Sequence, residues 1–232
     1  KYLPGVISGA KITSWMLTEP DAGSDSLAIT TVAEPSGDHY ICNGSKTFIT
    51  NGPIADYFIL VARLPDTERS KGGIQLILER DMDGLEVGGK FDKMGMRCSP
   101  TCEVFLDGVR VPKENVLGTP GKGFPEMFVT LNAERSMGAS TSIGIMQACL
   151  EICSRYVRER HQFGKPISDF QLVQEMIADM TVNLELSRIY CYHTVAMAQR
   201  GEDINRQAAI VKLFASRGAV KAASDAVQIH GG

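Results

Sequence analysis

Apolar residues follow two different rhythms along this chain, and the change comes near its middle. In the first half, short runs rich in β-branched, aromatic or alternating apolar residues predict strands at Leu27–Ala33, His39–Asn43, Thr47–Thr50, Tyr57–Ala62, Gly73–Leu78 and Glu103–Val111. Turn chemistry separates them, at Pro35-Ser36-Gly37-Asp38, Asn51-Gly52-Pro53, Asp83-Gly84 and Asp107-Gly108. Short strands joined by tight loops predict an antiparallel barrel or sandwich that ends near Pro112. From Phe124 the spacing turns helical: Phe124, Met127, Phe128 and Leu131 repeat at three and four, predicting a helix to about Glu159. A second helix carries Leu172, Val173, Met176, Ile177, Met180 and Leu184 on one stripe, and Gly164-Lys165-Pro166 separates the two. A third, from about Asn205, is rich in Ala208, Ala209, Ala215, Gly218, Ala219, Ala222 and Ala223. Small side chains let helices approach closely, which predicts a central place for it in a bundle. The fold class is therefore α+β, an antiparallel β-barrel or sandwich domain over residues 1–117 followed by an α-helical bundle domain over residues 118–232. Gly118-Thr119-Pro120-Gly121-Lys122-Gly123 reads as the linker, since no Ser or Thr follows Lys122 and no third Gly completes a dinucleotide fingerprint.

Bulk properties exclude more than they assign. A formal charge of −3 without a basic block argues against a binder of nucleic-acid backbones. No apolar run approaches the roughly 20 residues that a bilayer span needs. The six cysteines include two pairs spaced by four, Cys98/Cys102 and Cys149/Cys153. That spacing fits no zinc pattern and the histidines do not cluster with them, so they read as small hydrophobes and no metal is expected. A reducing, intracellular compartment follows from free cysteines.

The richest stretch runs Trp15-Met16-Leu17-Thr18-Glu19-Pro20-Asp21-Ala22-Gly23-Ser24-Asp25. An apolar strand meets Pro20, which lacks an N–H and ends regular pairing, and Gly23 is expected to supply the positive φ of a sharp turn. Successive backbone N–H groups with the Thr18 and Ser24 hydroxyls make a concavity suited to an anion such as a phosphate. The same residues also make an ordinary surface loop, and turn chemistry alone admits both.

The segment Thr18–Asp25 resembles the signature of the acyl-CoA dehydrogenases, FAD enzymes that desaturate acyl thioesters. Asn43-Gly44-Ser45-Lys46-Thr47-Phe48-Ile49-Thr50-Asn51-Gly52 is similar to that family's second flavin-contacting strand. Arg160-His161-Gln162-Phe163-Gly164-Lys165-Pro166-Ile167 is similar to its adenosine-side motif, and Gln228-Ile229-His230-Gly231-Gly232 to a fourth. The resemblance implies that Trp15, Leu17, Thr18, Gly23 and Ser24 line the isoalloxazine and pyrophosphate. Thr18 would meet the polar edge of the ring, and Ser24 a phosphate or the substrate's pantetheine. Phe48, Ile49 and Thr50 would flank the ring, with Phe48 standing where the family usually has Trp. On the adenosine side it implies Arg160, Gln162, Phe163, Gln171, Gln228, Gly231 and Gly232, with Arg160 reaching the diphosphate of a neighbouring subunit and hence a homo-oligomer, normally a tetramer. Asn132 and Arg135 match positions that contact the CoA moiety, although the family often has Asp at the first.

For the catalytic base the resemblance leaves two places. Most members carry a Glu in a late segment that would fall after Gly232, whereas isovaleryl-CoA and long-chain types use a Glu directly before the helix Arg, as in Glu134-Arg135. A mid-helix Glu facing solvent is the plain alternative for Glu134. The implied reaction removes a proton from the acyl α-carbon and a hydride from the β-carbon, giving a trans-2-enoyl-CoA. Electrons then pass to an electron-transfer flavoprotein, in the cytoplasm of a bacterium or the mitochondrial matrix of a eukaryote. An acyl-CoA oxidase on the same scaffold and a non-catalytic acyl-CoA-binding scaffold are the alternatives. A helical domain is expected ahead of Lys1, and further helices beyond Gly232.

Overall fold

The computed structural model describes residues 1–68 and 71–232, which form two compact units, Lys1–Met127 and Phe128–Gly232. The first opens with a short helix α1 (Leu3–Ile7) and holds strands β1 (Thr13–Met16), β2 (Val32–Ser36), β3 (His39–Thr50), β4 (Tyr57–Arg63), β5 (Gly73–Glu79), β6 (Leu85–Val87), β7 (Thr101–Pro112) and β8 (Val116–Gly121). Among the described residues these make one eight-stranded sheet in the order β6-β7-β3-β2-β4-β5-β8, with β1 added beside β4.

The sheet is mainly antiparallel, as expected, with two parallel pairings that make it mixed. Both β1 and β2 run parallel to β4 and share one of its edges, β1 along Tyr57–Leu60 and β2 at Arg63. The residues between them, 17–31, therefore leave the sheet as an excursion. The strand expected at Leu27–Ala33 is a 3-10 turn at Ser26–Ala28, and pairing resumes only at Val32. Gly37 at φ 60 lets β2 and β3 connect so tightly that pairing runs through Pro35 and Ser36 to His39. The runs His39–Asn43 and Thr47–Thr50 fuse into one strand, because register shifts at Cys42/Gly44 and Lys46/Ile49 absorb the polar residues between them. The stretch read as a linker overlaps the later residues of β8, whose Leu117 and Val116, just ahead of that stretch, pair with Gln75 and Leu76 of β5.

Alternation along the strands builds the core of this unit, with Met16, Ile49, Phe58, Leu60, Leu76 and Val104 all buried in one cluster. Gly73 and Gly123 allow a close crossing: a Cβ on Gly73 would lie 2.6 Å from the Phe124 nitrogen, and one on Gly123 would lie 2.5 Å from the Ile74 nitrogen.

Helix α2 (Gly123–Glu159) starts at that crossing. The second unit continues through the two-stranded hairpin β9 (His161–Gln162) and β10 (Lys165–Pro166), then α3 (Gln171–Gln199) and α4 (Asn205–His230). Met146, Cys153, Met180, Leu184, Val211 and Ala215 form its core. The small residues of α4 do what their size predicts. A Cβ on Gly218 would meet the Met146 sulfur at 3.0 Å and the Asn183 Cβ at 3.3 Å, so α4 lies against both other helices there. Ala209 and Ala223 are the exceptions, facing solvent.

Candidate functional site

The excursion after β1 is fastened by a buried ion pair. Residues Glu19 and Ala22 exchange backbone hydrogen bonds of 3.0 and 3.2 Å, closing a turn with Pro20 and Asp21 at its tip. Gly23 follows this turn without a positive φ, so the expected role of that glycine is corrected: the Glu19–Ala22 pair makes the bend. The Glu19 carboxylate accepts from the Thr30 N–H (2.6 Å), the Thr30 hydroxyl (2.8 Å), the Thr31 N–H (3.0 Å) and Lys46 Nζ (2.8 Å). Lys46 also donates to the Leu17 carbonyl at 2.9 Å, and the Thr47 N–H donates to the Thr18 carbonyl at 2.9 Å. Both side chains are sealed, Lys46 at 0% and Glu19 at 5% exposure. Burial pushes the Glu19 carboxyl up, but the Lys46 charge and the Thr30 and Thr31 donors outweigh it and hold the group at about 2. Desolvation lowers the Lys46 ammonium to about 8 against the pull of Glu19.

What this frame leaves free matters for binding. Gly23 and Ser24 are exposed, and neither their N–H groups nor the Ser24 hydroxyl has a protein partner among the described residues. Trp15, Leu17 and Thr18 are half-buried. On β3 the side chains alternate: Phe48 and Thr50 face out, and Ile49 is packed in the core at 1% exposure. Ile49 can therefore offer a ligand only its backbone, and the outward wall is Phe48 and Thr50. Phe48 is 67% exposed at φ 56, a left-handed conformation that costs an ordinary residue energy, and its ring stands edge-on to Phe91 at 5.7 Å. Ser14 Oγ donates to the Thr50 carbonyl at 2.5 Å, tying the end of β3 to β1. Unused N–H and hydroxyl donors suit a pyrophosphate, and a strained, solvent-facing ring suits the flat ring of a flavin nucleotide.

The second unit carries a separate set. Phe163 (φ 52) and Gly164 (φ 78) form the two-residue turn between β9 and β10, the positive-φ pair of a type I′ hairpin. Phe163 stands 92% exposed, edge-on to Phe170 at 6.1 Å. A cleft of about 320 Å³ brings Gln162, Phe163 and Gln228 together with Phe170, Met176 and Ile229. The Gln162 amide already donates to the His161 carbonyl at 2.8 Å. Arg160, Gln171, Gly231 and Gly232 are exposed but do not line this cleft. Arg160 has no side-chain partner among the described residues, a free cation suited to a phosphate. Gly231 and Gly232, both at φ 100, end α4 by donating to the Gln228 and Val227 carbonyls.

On α2, Glu134 and Arg135 line a second cleft of about 280 Å³ with Gly138, Ser142, Lys212 and Ser216. The Glu134 carboxylate is exposed and has no protein partner among the described residues. Asn132 is not in that cleft: it is buried, donates to Asn205 Oδ1 and accepts from Arg135 Nη1 at 2.9 Å. Its amide oxygen holds Arg135, three residues on along the same helix face.

Sequence reasoning gave no role to Glu19, Lys46 or Lys212. No local pattern marks the first two: Glu19 precedes Pro20 in a turn segment, and Lys46 sits in the polar stretch Asn43-Gly44-Ser45-Lys46 between two strand-like runs. The cysteines are all free: Cys42, Cys102, Cys153 and Cys191 are buried, Cys149 half-buried and Cys98 exposed. Burial raises the Cys42 thiol to about 12. No helix is long and apolar enough to cross a membrane among the described residues.

Comparison with known proteins gives the chain's family. Residues 14–109 match the family description "Acyl-CoA dehydrogenase, middle domain" and residues 121–232 match "Acyl-CoA dehydrogenase, C-terminal domain". The chain is 40% identical over 232 residues to the mitochondrial isovaleryl-CoA dehydrogenase of Oryza sativa subsp. japonica, covering 100% of this chain and 57% of that one. It is 38% identical over 232 residues to the caffeyl-CoA reductase-Etf complex subunit CarC of Acetobacterium woodii, covering 100% and 61%. The solved FAD complex of PigA superposes with a TM-score of 0.96 at 33% identity, covering 100% of this chain and 60% of that one. The chain thus spans less than two thirds of each of these proteins.

Proposed function

Since the chain belongs to the acyl-CoA dehydrogenase family, whose middle and C-terminal domains it carries, we propose that it is the larger part of an FAD-dependent enzyme that desaturates an acyl-CoA. The observation that carries this reading is Phe48, an exposed ring on a strained backbone, whose neighbour Thr47 is hydrogen-bonded to the Thr18 carbonyl of the segment that holds the unpartnered donors of Gly23 and Ser24. FAD, when bound, supplies the acceptor for the β-hydride of the acyl chain. The chain's own residues do the rest. Thr18, Gly23 and Ser24 donate to the ring edge and pyrophosphate, while Trp15, Leu17, Phe48 and Thr50 flank the ring, joined by the backbone of Ile49. Arg160, Gln162, Phe163, Gln171, Gln228, Gly231 and Gly232 hold the adenosine half, for a neighbouring subunit of a tetramer.

Glu134 takes the α-proton, since its carboxylate is unpaired and lies in a cleft with Arg135 and Lys212, cations suited to an anionic CoA. Asn132 fixes Arg135 for that contact. Electrons leave to an electron-transfer flavoprotein, a reading supported by the Etf complex to which one relative belongs. The test is the purified full-length protein. A yellow preparation bleached anaerobically by an acyl-CoA supports the reading. Colourless protein that cannot be loaded with FAD overturns it in favour of a non-catalytic scaffold, and rapid peroxide formation points to an oxidase.

A further inference from the structure

Lys46 is the feature that ligand contacts leave unexplained. Desolvating an ammonium in a sheet interior is costly, and an apolar side chain of similar volume would fill the space without that cost. No apolar residue, however, could hold a carbonyl and a carboxylate together. Lys46 grips the Leu17 carbonyl and the Glu19 carboxylate, and its neighbour Thr47 grips the Thr18 carbonyl. Two successive residues of β3 therefore pin three successive residues of the excursion. Glu19 in turn ties the far end of that excursion through Thr30 and Thr31. Two residues beyond Lys46, the same strand turns Phe48 outward.

The geometry points to Lys46 as a positioning residue for the flavin nucleotide: it fixes the excursion so that Thr18, Gly23 and Ser24 present their donors while Phe48 walls the ring. This rests on the flavin reading above. The pair couples both cofactor-facing segments of the first unit, so loosening one should disturb the other.

The experiment compares full-length parent, Lys46→Met and the double variant Lys46→Met/Glu19→Gln. Its readouts are FAD dissociation constant by flavin fluorescence quenching, visible circular dichroism of the bound flavin, and apoprotein Tm. Lys46→Met is expected to weaken FAD binding about tenfold or more and to change the flavin dichroism. The double variant has no unpaired buried charge, so its apoprotein Tm should return towards the parent's while the affinity stays low. A double variant that binds FAD within about twofold of the parent, with unchanged dichroism, overturns the positioning role alone. A parent that takes up no FAD overturns the flavin reading and this role with it.

Discussion

Glu19 is a carboxylate that burial alone would neutralise and that its partners keep charged. Its folded pKa of about 2 lies below the ordinary 4.5, so its stabilisation is fully present above about pH 4.5 and is lost as pH falls towards 2. Denaturant titrations should show a loss of about 1–3 kcal/mol across that window from this group, so the acid dependence should be smaller in Glu19→Gln. A parent with no such acid dependence would contradict the pairing. Glu134 belongs to the other kind of site, an unpaired carboxylate in a cleft. Glu134→Gln should slow the anaerobic flavin reduction by acyl-CoA by about 10²–10⁴-fold while FAD content and acyl-CoA binding stay near parent values. Turnover close to the parent's would move the base to another segment. What the sequence made readable is accessibility: of the motif residues, Ser24, Phe48 and Phe163 lie at surfaces and Thr18 is half-buried. The burial of Ile49 and Asn132 was not readable, since the face a side chain takes depends on bulges and partner helices that no local pattern encodes.

At the scale of elements, glycines divide into those that permit a crossing and those that permit a turn. A methyl at Gly73 or Gly123 would strike backbone atoms at 2.6 or 2.5 Å, neither of which can swing aside. Gly73→Ala and Gly123→Ala should each cost about 1–3 kcal/mol or more, read from thermal or urea unfolding. Gly164→Ala meets nothing within 4 Å and bears only the penalty of φ 78, about 1–2 kcal/mol. Its effect should therefore be the smaller of the two kinds. The helices were legible because a period near 3.6 persists over α2, α3 and α4. Strands suffered more: β8 hides behind Gly and Pro, and the parallel placement of β1 and β2 comes from long-range pairing along β4.

For the whole molecule, the exposed apolar side chains are the telling quantity. Val182, Leu186, Ile189 and Tyr192 on α3 and Leu213, Phe214 and Val220 on α4 face outward in the second unit. Residues 1–232 expressed alone should bind a hydrophobic dye, associate with rising concentration in sedimentation velocity, and show no desaturation of acyl-CoA. A monodisperse monomer without dye binding would contradict the first two. Folding also settles the chemical fate of Lys46. Thioesters and other activated acyl compounds acylate accessible amines without any catalyst. With its amine at zero exposure, Lys46 escapes that damage only after the sheet has closed over it. Acylation there would remove the charge that pairs with Glu19, so a chain modified before folding would lack the Lys46–Glu19 ion pair.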